Sequence, residues 1–243
     1  SLPPTRSCSP STPLLGFLEP LIAALNAGQR RQLGIYFTPA EVVEYLVERT
    51  ASVLRDVLEM PLGLADRSMD IIDPAVGCGV FPLAVVRTIR QSWQASAGAH
   101  SSAKQSGTLS WSAYVSDEML PKLTGCEIVP ASYVVANMLL AMELCRSGYK
   151  PRQNDRLQLR LVDALAKQGR SNPNKTSVRQ SIPVIIGNPP YRGSSTNTHG
   201  WISQLLRGKG PDGHDGVSYF HIDGVPLGER KTWLHDDYVK FFR

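Results

Sequence analysis

Four short stretches carry side chains whose types and spacing suit chemistry on a nucleotide-like ligand, and each follows an apolar run. The first is Asp73-Pro74-Ala75-Val76-Gly77-Cys78-Gly79-Val80-Phe81. Glycines two apart let a backbone turn sharply and approach a ligand closely, although a lone G-x-G is more often only a turn. The second is Gly125-Cys126-Glu127-Ile128, where a strand-end carboxylate can accept hydrogen bonds from the two hydroxyls of a ribose. Taken alone, Glu127 reads better as a surface acid. The third, Val162-Asp163-Ala164-Leu165, again puts a carboxylate where a strand should end. The fourth is Ile185-Ile186-Gly187-Asn188-Pro189-Pro190-Tyr191. Two successive prolines after a buried strand fix the backbone and remove two N–H donors, leaving the Asn188 amide and main-chain carbonyls pointing outward beside an aromatic ring. Such a site accepts hydrogen bonds from an amino group while a planar base stacks on Tyr191.

The elements that must hold these stretches alternate between helix and strand. Apolar residues recur at helical intervals from Pro39 to Leu54, which predicts a helix with Thr38 as N-cap, Pro39 at its first position and Glu41 three residues after the cap. Met69–Asp73 reads as a short apolar strand, and Leu83–Trp93 as the helix that follows the glycine turn. Ala95–Ser112 is rich in Ser, Ala and Gly without periodicity and predicts a flexible insertion. Further strands are expected at Leu123–Ile128, Leu157–Val162 and Pro183–Ile186, with a helix at Ala131–Leu144. Strands alternating with helices imply a mainly parallel, doubly wound α/β sheet, whose ligands sit at the carboxyl ends of the strands.

Composition sets outer bounds. With 243 residues, 42% of them hydrophobic and 19% charged, the chain can bury a sizeable core, which excludes a disulfide-stapled mini-protein and a wholly disordered chain. No apolar run reaches the roughly 20 residues that a membrane span takes. The Ser/Thr/Pro-rich start, Ser1–Pro13, lacks the apolar core of a secretory signal and belongs to a lead-in over residues 1–34. Cys8, Cys78, Cys126 and Cys145 form no C-x-x-C pair and the histidines show no metal-binding spacing, so neither zinc nor an oxidising compartment is indicated and a cytoplasmic location is expected. Charge is unevenly placed. Residues 146–179 carry nine basic and two acidic side chains, more than the whole chain's excess of +5. Arg146, Lys150, Arg152, Arg156, Arg160, Lys167, Arg170, Lys175 and Arg179 form a polyanion footprint or, on the blander reading, a solvated basic loop.

Taken together, the stretches resemble the N6-adenine DNA methyltransferases that use S-adenosylmethionine, in the motif order called gamma. Tyr36-Phe37-Thr38-Pro39 resembles the N-terminal cofactor motif, Asp73 to Phe81 the D-P-A-x-G-x-G-x-F motif, and Gly125-Cys126-Glu127-Ile128-Val129-Pro130 the acidic ribose motif. Asp163-Ala164-Leu165 resembles the cofactor-adenine motif and Asn188-Pro189-Pro190-Tyr191 the catalytic motif. The resemblance implies a Rossmann-like methyltransferase domain over residues 35–243 that is incomplete at its C-terminus, since the chain stops about 50 residues after the catalytic motif. The segments Pro226–Arg230 and Trp233–Phe241 look like those that follow this motif in large single-chain restriction-modification enzymes of the type ISP kind. Further domains of a longer chain, for target recognition and for nuclease or motor work, are expected with it. It also implies a flipped-out adenine, direct methyl transfer without a cysteine nucleophile, and DNA as partner.

Two departures stand beside this. Glu127 lies 54 positions after Asp73, against about 20 in dinucleotide-binding folds, so Asp117 and Glu118 are rival ribose ligands. Glu127 is preferred because Pro130, Ala136 and Asn137 follow it as in the family motif. No phosphate-loop signature and no metal-nuclease cluster stands out; Asp212, Asp215, Asp223, Asp236 and Asp237 read as loop and helix-cap residues. A protein glutamine methyltransferase and a cofactor- or nucleic-acid-binding module without turnover are the alternative readings.

Overall fold

The computed structural model describes residue 16 and residues 38–99, 110–166, 181–191, 200–210, 216–228 and 236–242, the side chains of 96–99 excepted. Helix α1, Ala40–Asp56, turns Val43, Val47, Ala51 and Leu54 inward at helical spacing. Its start differs from expectation. Pro39, extended at ψ 140°, is the N-cap, and no side chain caps the helix. The Pro39 carbonyl accepts from the N–H groups of Val42 and Val43, both at 3.1 Å. Thr38 does not cap because its hydroxyl is engaged elsewhere, by Asn188.

Strand β1, Met69–Asp73, is central, with Met69 and Ile71 fully buried. Burying such a side chain contributes about 1.5–3 kcal/mol, which is why a five-residue apolar run suffices to place the strand. The turn after it leads into helix α2, Val80–Ala99, which starts three residues earlier than expected because the Gly79 carbonyl already accepts from Leu83 at 2.9 Å.

The expected insertion is smaller than its composition suggests. Residues 95–99 continue α2, and Ser110 caps a new helical turn, Trp111–Tyr114, by accepting from Ala113. A π-type turn, Val115–Met119, and a last turn, Leu120–Lys122, lead directly into strand β2, Leu123–Glu127. Periodicity missed this run because tertiary contacts make it. Trp93 meets Trp111 and Tyr114 at ring-centroid distances of 5.9 and 4.7 Å, and the Arg90 guanidinium sits 4.5 Å over Trp111. The buried Lys122 ammonium donates to the carbonyls of Leu64 and Asp66 and to the Tyr114 hydroxyl. Residues 100–109 of the insertion lie outside the described residues.

Helix α3, Pro130–Arg146, then leads toward strand β3, Gln158–Leu161, and strand β4 is Ile182–Ile185. The four strands form a parallel sheet in the order β3-β2-β1-β4, with Asp73 opposite Gly125 and Ile72 opposite Ile185. The parallel α/β arrangement expected of a Rossmann-like sheet is therefore present. Beyond it lie helix α4, Gly200–Leu206, a hairpin of β5, His221–Ile222, and β6, Val225–Pro226, and helix α5, Asp237–Phe241. Asp223 and Gly224, both at positive φ, make the two-residue hairpin turn. Asp236 caps α5 by accepting from the Tyr238 N–H, as the helix-cap reading of that acid expects. Asp212 and Asp215 lie outside the described residues.

Gly125 shows how closely the sheet packs beneath the glycine turn. A Cβ there would lie 2.3 Å from Val76 Cγ2, 3.0 Å from Leu159 Cδ2 and 3.2 Å from the Asp73 carbonyl. We expect Gly125→Ala to destabilise the fold by about 1–3 kcal/mol, and Val76→Ala in the same chain to recover part of that loss. Chemical denaturation of both variants checks this, since purely additive losses would place the strain elsewhere.

Candidate functional site

Because the sheet is parallel, all its carboxyl ends open on one edge, and the candidate stretches emerge there. At the centre is Asp73, the last residue of β1 and 1% exposed. Its Oδ1 accepts from the Ala75 N–H at 3.0 Å, whereas Oδ2 is buried with no hydrogen-bond partner among the described residues. Pro74 and Ala75 are half-buried. Gly77 and Gly79 have φ of +57° and +87°, which L side chains rarely adopt. A Cβ on Gly79 would also lie 3.2 Å from Ala136, so the turn needs glycine there to let α3 approach. At Gly77 the space is open. Phe81, at the start of α2, is buried in the core at 2% exposure.

Glu127 closes the turn from the neighbouring strand. Its Oε2 accepts from the Gly77 N–H at 2.7 Å, while Oε1 accepts from Ile128 at 2.9 Å and Val129 at 2.7 Å, just before α3 begins. The Val76 N–H donates to the Cys126 carbonyl at 2.9 Å and ties the same turn to β2. Ile128, beside it, is half exposed. The rival acids sit elsewhere. Asp117 and Glu118 lie on the π-type turn that precedes β2, at the strand's opposite end, where Asp117 meets Arg152 and Glu118 meets Arg67 at 3.2 Å.

The two buried acids shape the electrostatics of this edge. Burial pushes the Asp73 carboxyl up from 3.8 to about 7, the Ala75 N–H partly opposing it and the nearby Glu127 charge adding to it. Glu127 is likewise raised by burial, against the lowering effect of the N–H groups of Val129, Gly77 and Ile128. A site with two desolvated carboxylates, one with an unpartnered oxygen, favours a cationic ligand rich in hydrogen-bond donors.

Asp163 follows β3, and its Oδ1 accepts from the Leu165 N–H at 2.8 Å in a tight turn. The Val162 N–H donates to the Glu127 carbonyl at 2.9 Å, so the stretches that hold these two acids are joined by a backbone bond. Ala164 is half-buried and Leu165 buried. After β4, Gly187 lies so close to β1 that a Cβ would be 2.5 Å from Asp73 Oδ1. The next residue, Asn188, donates its Nδ2–H to the Thr38 hydroxyl at 2.9 Å, across 150 positions of sequence. Pro189 and Pro190 are half-buried. Tyr191 is 46% exposed, and its ring meets that of Tyr238 in a T-shaped contact at 6.1 Å. The structure thus brings Thr38, Asp73, the glycines, Glu127, Asp163 and Asn188 onto one edge, with Pro39 exposed beside Thr38. Tyr36 and Phe37 lie outside the described residues.

Sequence reasoning missed Gly187, whose only signal was its place before Asn188, and Trp201, whose indole N–H donates to the Leu165 carbonyl at 2.8 Å. Two arginines of the basic segment make local contacts. Arg152 is not an unpaired cation, because its guanidinium forks onto Asp117. Arg156 folds back on the carbonyls of Gln153 and Asp155. Lys167, Arg170, Lys175 and Arg179 lie outside the described residues. Among the described residues no group of His, Cys, Asp and Glu could hold a metal ion, and no helix is long and apolar enough to cross a membrane.

The chain belongs to the N-6 DNA methylase family, which it matches over residues 16–205, and the family implies S-adenosylmethionine as methyl donor. Among solved structures it is similar to a chain of the DrdV–DNA complex, with a TM-score of 0.64 at 21% identity over 97% of this chain and 22% of that one. The ATP-dependent type ISP restriction-modification enzyme LlaBIII bound to DNA gives 0.62 at 20% identity, over 93% of this chain and 15% of that one. A nuclease-deletion mutant of the type ISP enzyme LlaGI, with a DNA substrate mimic, gives 0.58 at 19%, over 92% and 18%. At these identities the likeness is one of fold, and the chain spans less than a quarter of each of those proteins. No curated protein sequence matches it.

The buried Asp73 gives a pH signature. Without ligand, the folded state keeps this proton over a range where the unfolded chain, near 3.8, has released it, so stability falls as pH rises from about 4 to about 7. Asp73→Asn removes that fall. The variant should match the parent near pH 4 and exceed its stability above pH 7, by up to about 4 kcal/mol. Urea denaturation across this range checks it; parallel curves for the two proteins would contradict the raised carboxyl.

Proposed function

We propose that this chain is the methyltransferase part of a restriction-modification enzyme and transfers a methyl group from S-adenosylmethionine to the N6 amine of an adenine flipped out of duplex DNA. The observation that carries the reading is the placement of Asn188. It stands one strand away from the glycine turn, with its Nδ2 committed to Thr38. An amide oriented in this way presents Oδ1 as an acceptor, which suits an amine and not a carbonyl.

The residues at the edge fit the cofactor. Asp73, with its unpartnered buried Oδ2, would take the ammonium of the amino-acid moiety. Glu127 would take the ribose diol, since each of its oxygens can accept more than one hydrogen bond, and Asp163 the adenine amine. Bound there, S-adenosylmethionine would supply an electrophilic methyl group on a positively charged sulfur. An exocyclic adenine amine is a poor nucleophile because its lone pair is delocalised into the ring. Acceptors at Asn188 Oδ1 and the Pro189 carbonyl hold its two N–H groups and return the lone pair to the nitrogen, while Tyr191 stacks on the base. The gain is one of orientation and electrostatics. Cys78 and Cys126 are buried, and burial pushes the Cys126 thiol up, which supports a packing role for both.

DNA as the substrate is supported by the family and by the three similar structures, each solved with DNA or its mimic. The chain's small share of those proteins supports a longer protein in which other domains read the target and cut or move DNA; a cytoplasmic location is part of this proposal. The roles assigned here divide the site in two. Asn188→Ala should leave affinity for S-adenosylhomocysteine within about twofold while reducing methyl transfer by about a hundredfold or more, because the lost contact strengthens only as the amine reaches its reacting geometry. Tritiated methyl transfer to unmethylated DNA, with calorimetry in parallel, reads both. Near-normal transfer by this variant would overturn the assignment.

A further inference from the structure

Helix α4 follows the catalytic motif in sequence but is tied through Trp201 to the stretch after β3. Ile202 and Leu206 are buried beneath it, and Trp201 reaches outward from its first turn to the stretch after β3. There the Leu165 peptide groups are bonded on both sides. The Leu165 N–H is held by Asp163 Oδ1 at 2.8 Å, and its carbonyl accepts the Trp201 indole N–H at 2.8 Å. An indole has one donor and no acceptor, so this bond has a single sense. The turn that orients the Asp163 carboxylate is therefore clamped by a residue ten positions after Tyr191.

We propose that Trp201 is a positioning residue for the cofactor's adenine, fixing the Asp163–Leu165 turn through its bond to the Leu165 carbonyl so that Asp163 selects a 6-amino purine over a 6-oxo one. This rests on the assignment of Asp163 to the cofactor's adenine made above. The physical basis is the rigidity of the acceptor. A carboxylate held in one orientation discriminates between an amine that donates to it and a carbonyl oxygen that repels it, whereas a carboxylate on a loosened turn swings away and loses the preference.

The test compares S-adenosylhomocysteine and S-inosylhomocysteine by calorimetry on the full chain; the two differ at the purine 6-position, amino against oxo, and in the proton that the oxo form carries on N1. The parent should prefer the adenosyl compound. Trp201→Phe, which keeps an aromatic ring and removes the donor, should weaken adenosyl binding by about tenfold, the value of one hydrogen bond, and inosyl binding by much less. Trp201→Leu, which has no side-chain donor, is carried alongside so that the result does not depend on one variant's folding. In an Asp163→Asn background, where the preference is already lost, Trp201→Phe should narrow the ratio no further. Equal loss for both ligands, an unchanged ratio in both variants, or additive effects with Asp163→Asn would overturn the proposal and leave the cofactor reading intact. A parent chain, shown to be folded, that binds neither ligand would overturn both.

Discussion

The constraint on which the site depends is the contact between the ends of β1 and β4. Parallel pairing in the register Ile72 to Ile185 brings Gly187 against the Asp73 carboxylate so closely that no side chain fits between them. One contact therefore does two things. It seals Asp73 from water, which raises its proton affinity, and it sets the Asn-Pro-Pro-Tyr stretch beside the turn that starts α2. A chemistry that joins a cofactor's methyl group to an amine needs these two neighbourhoods to share a border, and the sheet supplies that border through backbone geometry.

Around it the site is assembled from features that lower stability. Two buried acids face the same turn, two glycines are held at positive φ, and one carboxylate oxygen has no partner among the described residues. Sequences that specify a fold well break local rules mainly where function requires it. Here the departures gather at one edge, while the core opposite is conventional apolar packing around Met69, Ile71, Val85 and Leu139. The three N–H groups aimed at Glu127 and the single one aimed at Asp73 Oδ1 offset part of the desolvation and preorganise the carboxylates for a ligand.

Much of this was legible in the sequence, for identifiable reasons. Strands β1 and β2 and the helices α1, α2 and α3 were legible because their apolar residues recur at the periods that burial demands, whereas β4, expected to be buried, leaves Ile182 and Ile185 exposed; the candidate stretches stood out because glycine, proline and acid at strand ends have few uses besides turns and ligands. The helical run Trp111–Lys122 was not legible, since stacked aromatic rings and a buried ammonium hold it in place of a regular apolar stripe. Thr38 was misread for a related reason. Thr-Pro before an apolar run has the pattern of a helix cap, and only the fold shows that its hydroxyl answers Asn188, 150 residues away. Arg152 carries the charge expected of a polyanion contact and is paired at the surface with Asp117 across 35 positions, which no local pattern announces. Trp201 gave no local signal, as its partner is a backbone carbonyl.

If Asn188 Oδ1 and the strand-end turn present an adenine amine for methylation, the chemical identity of the product reveals it. Unmethylated DNA is incubated with the protein and methyl-labelled S-adenosylmethionine, digested to nucleosides and separated by mass. The label is expected in N6-methyl-2′-deoxyadenosine and not in methylated 2′-deoxycytidines. Label in a cytidine, or in a glutamine of a protein substrate while DNA stays unmodified, would contradict it.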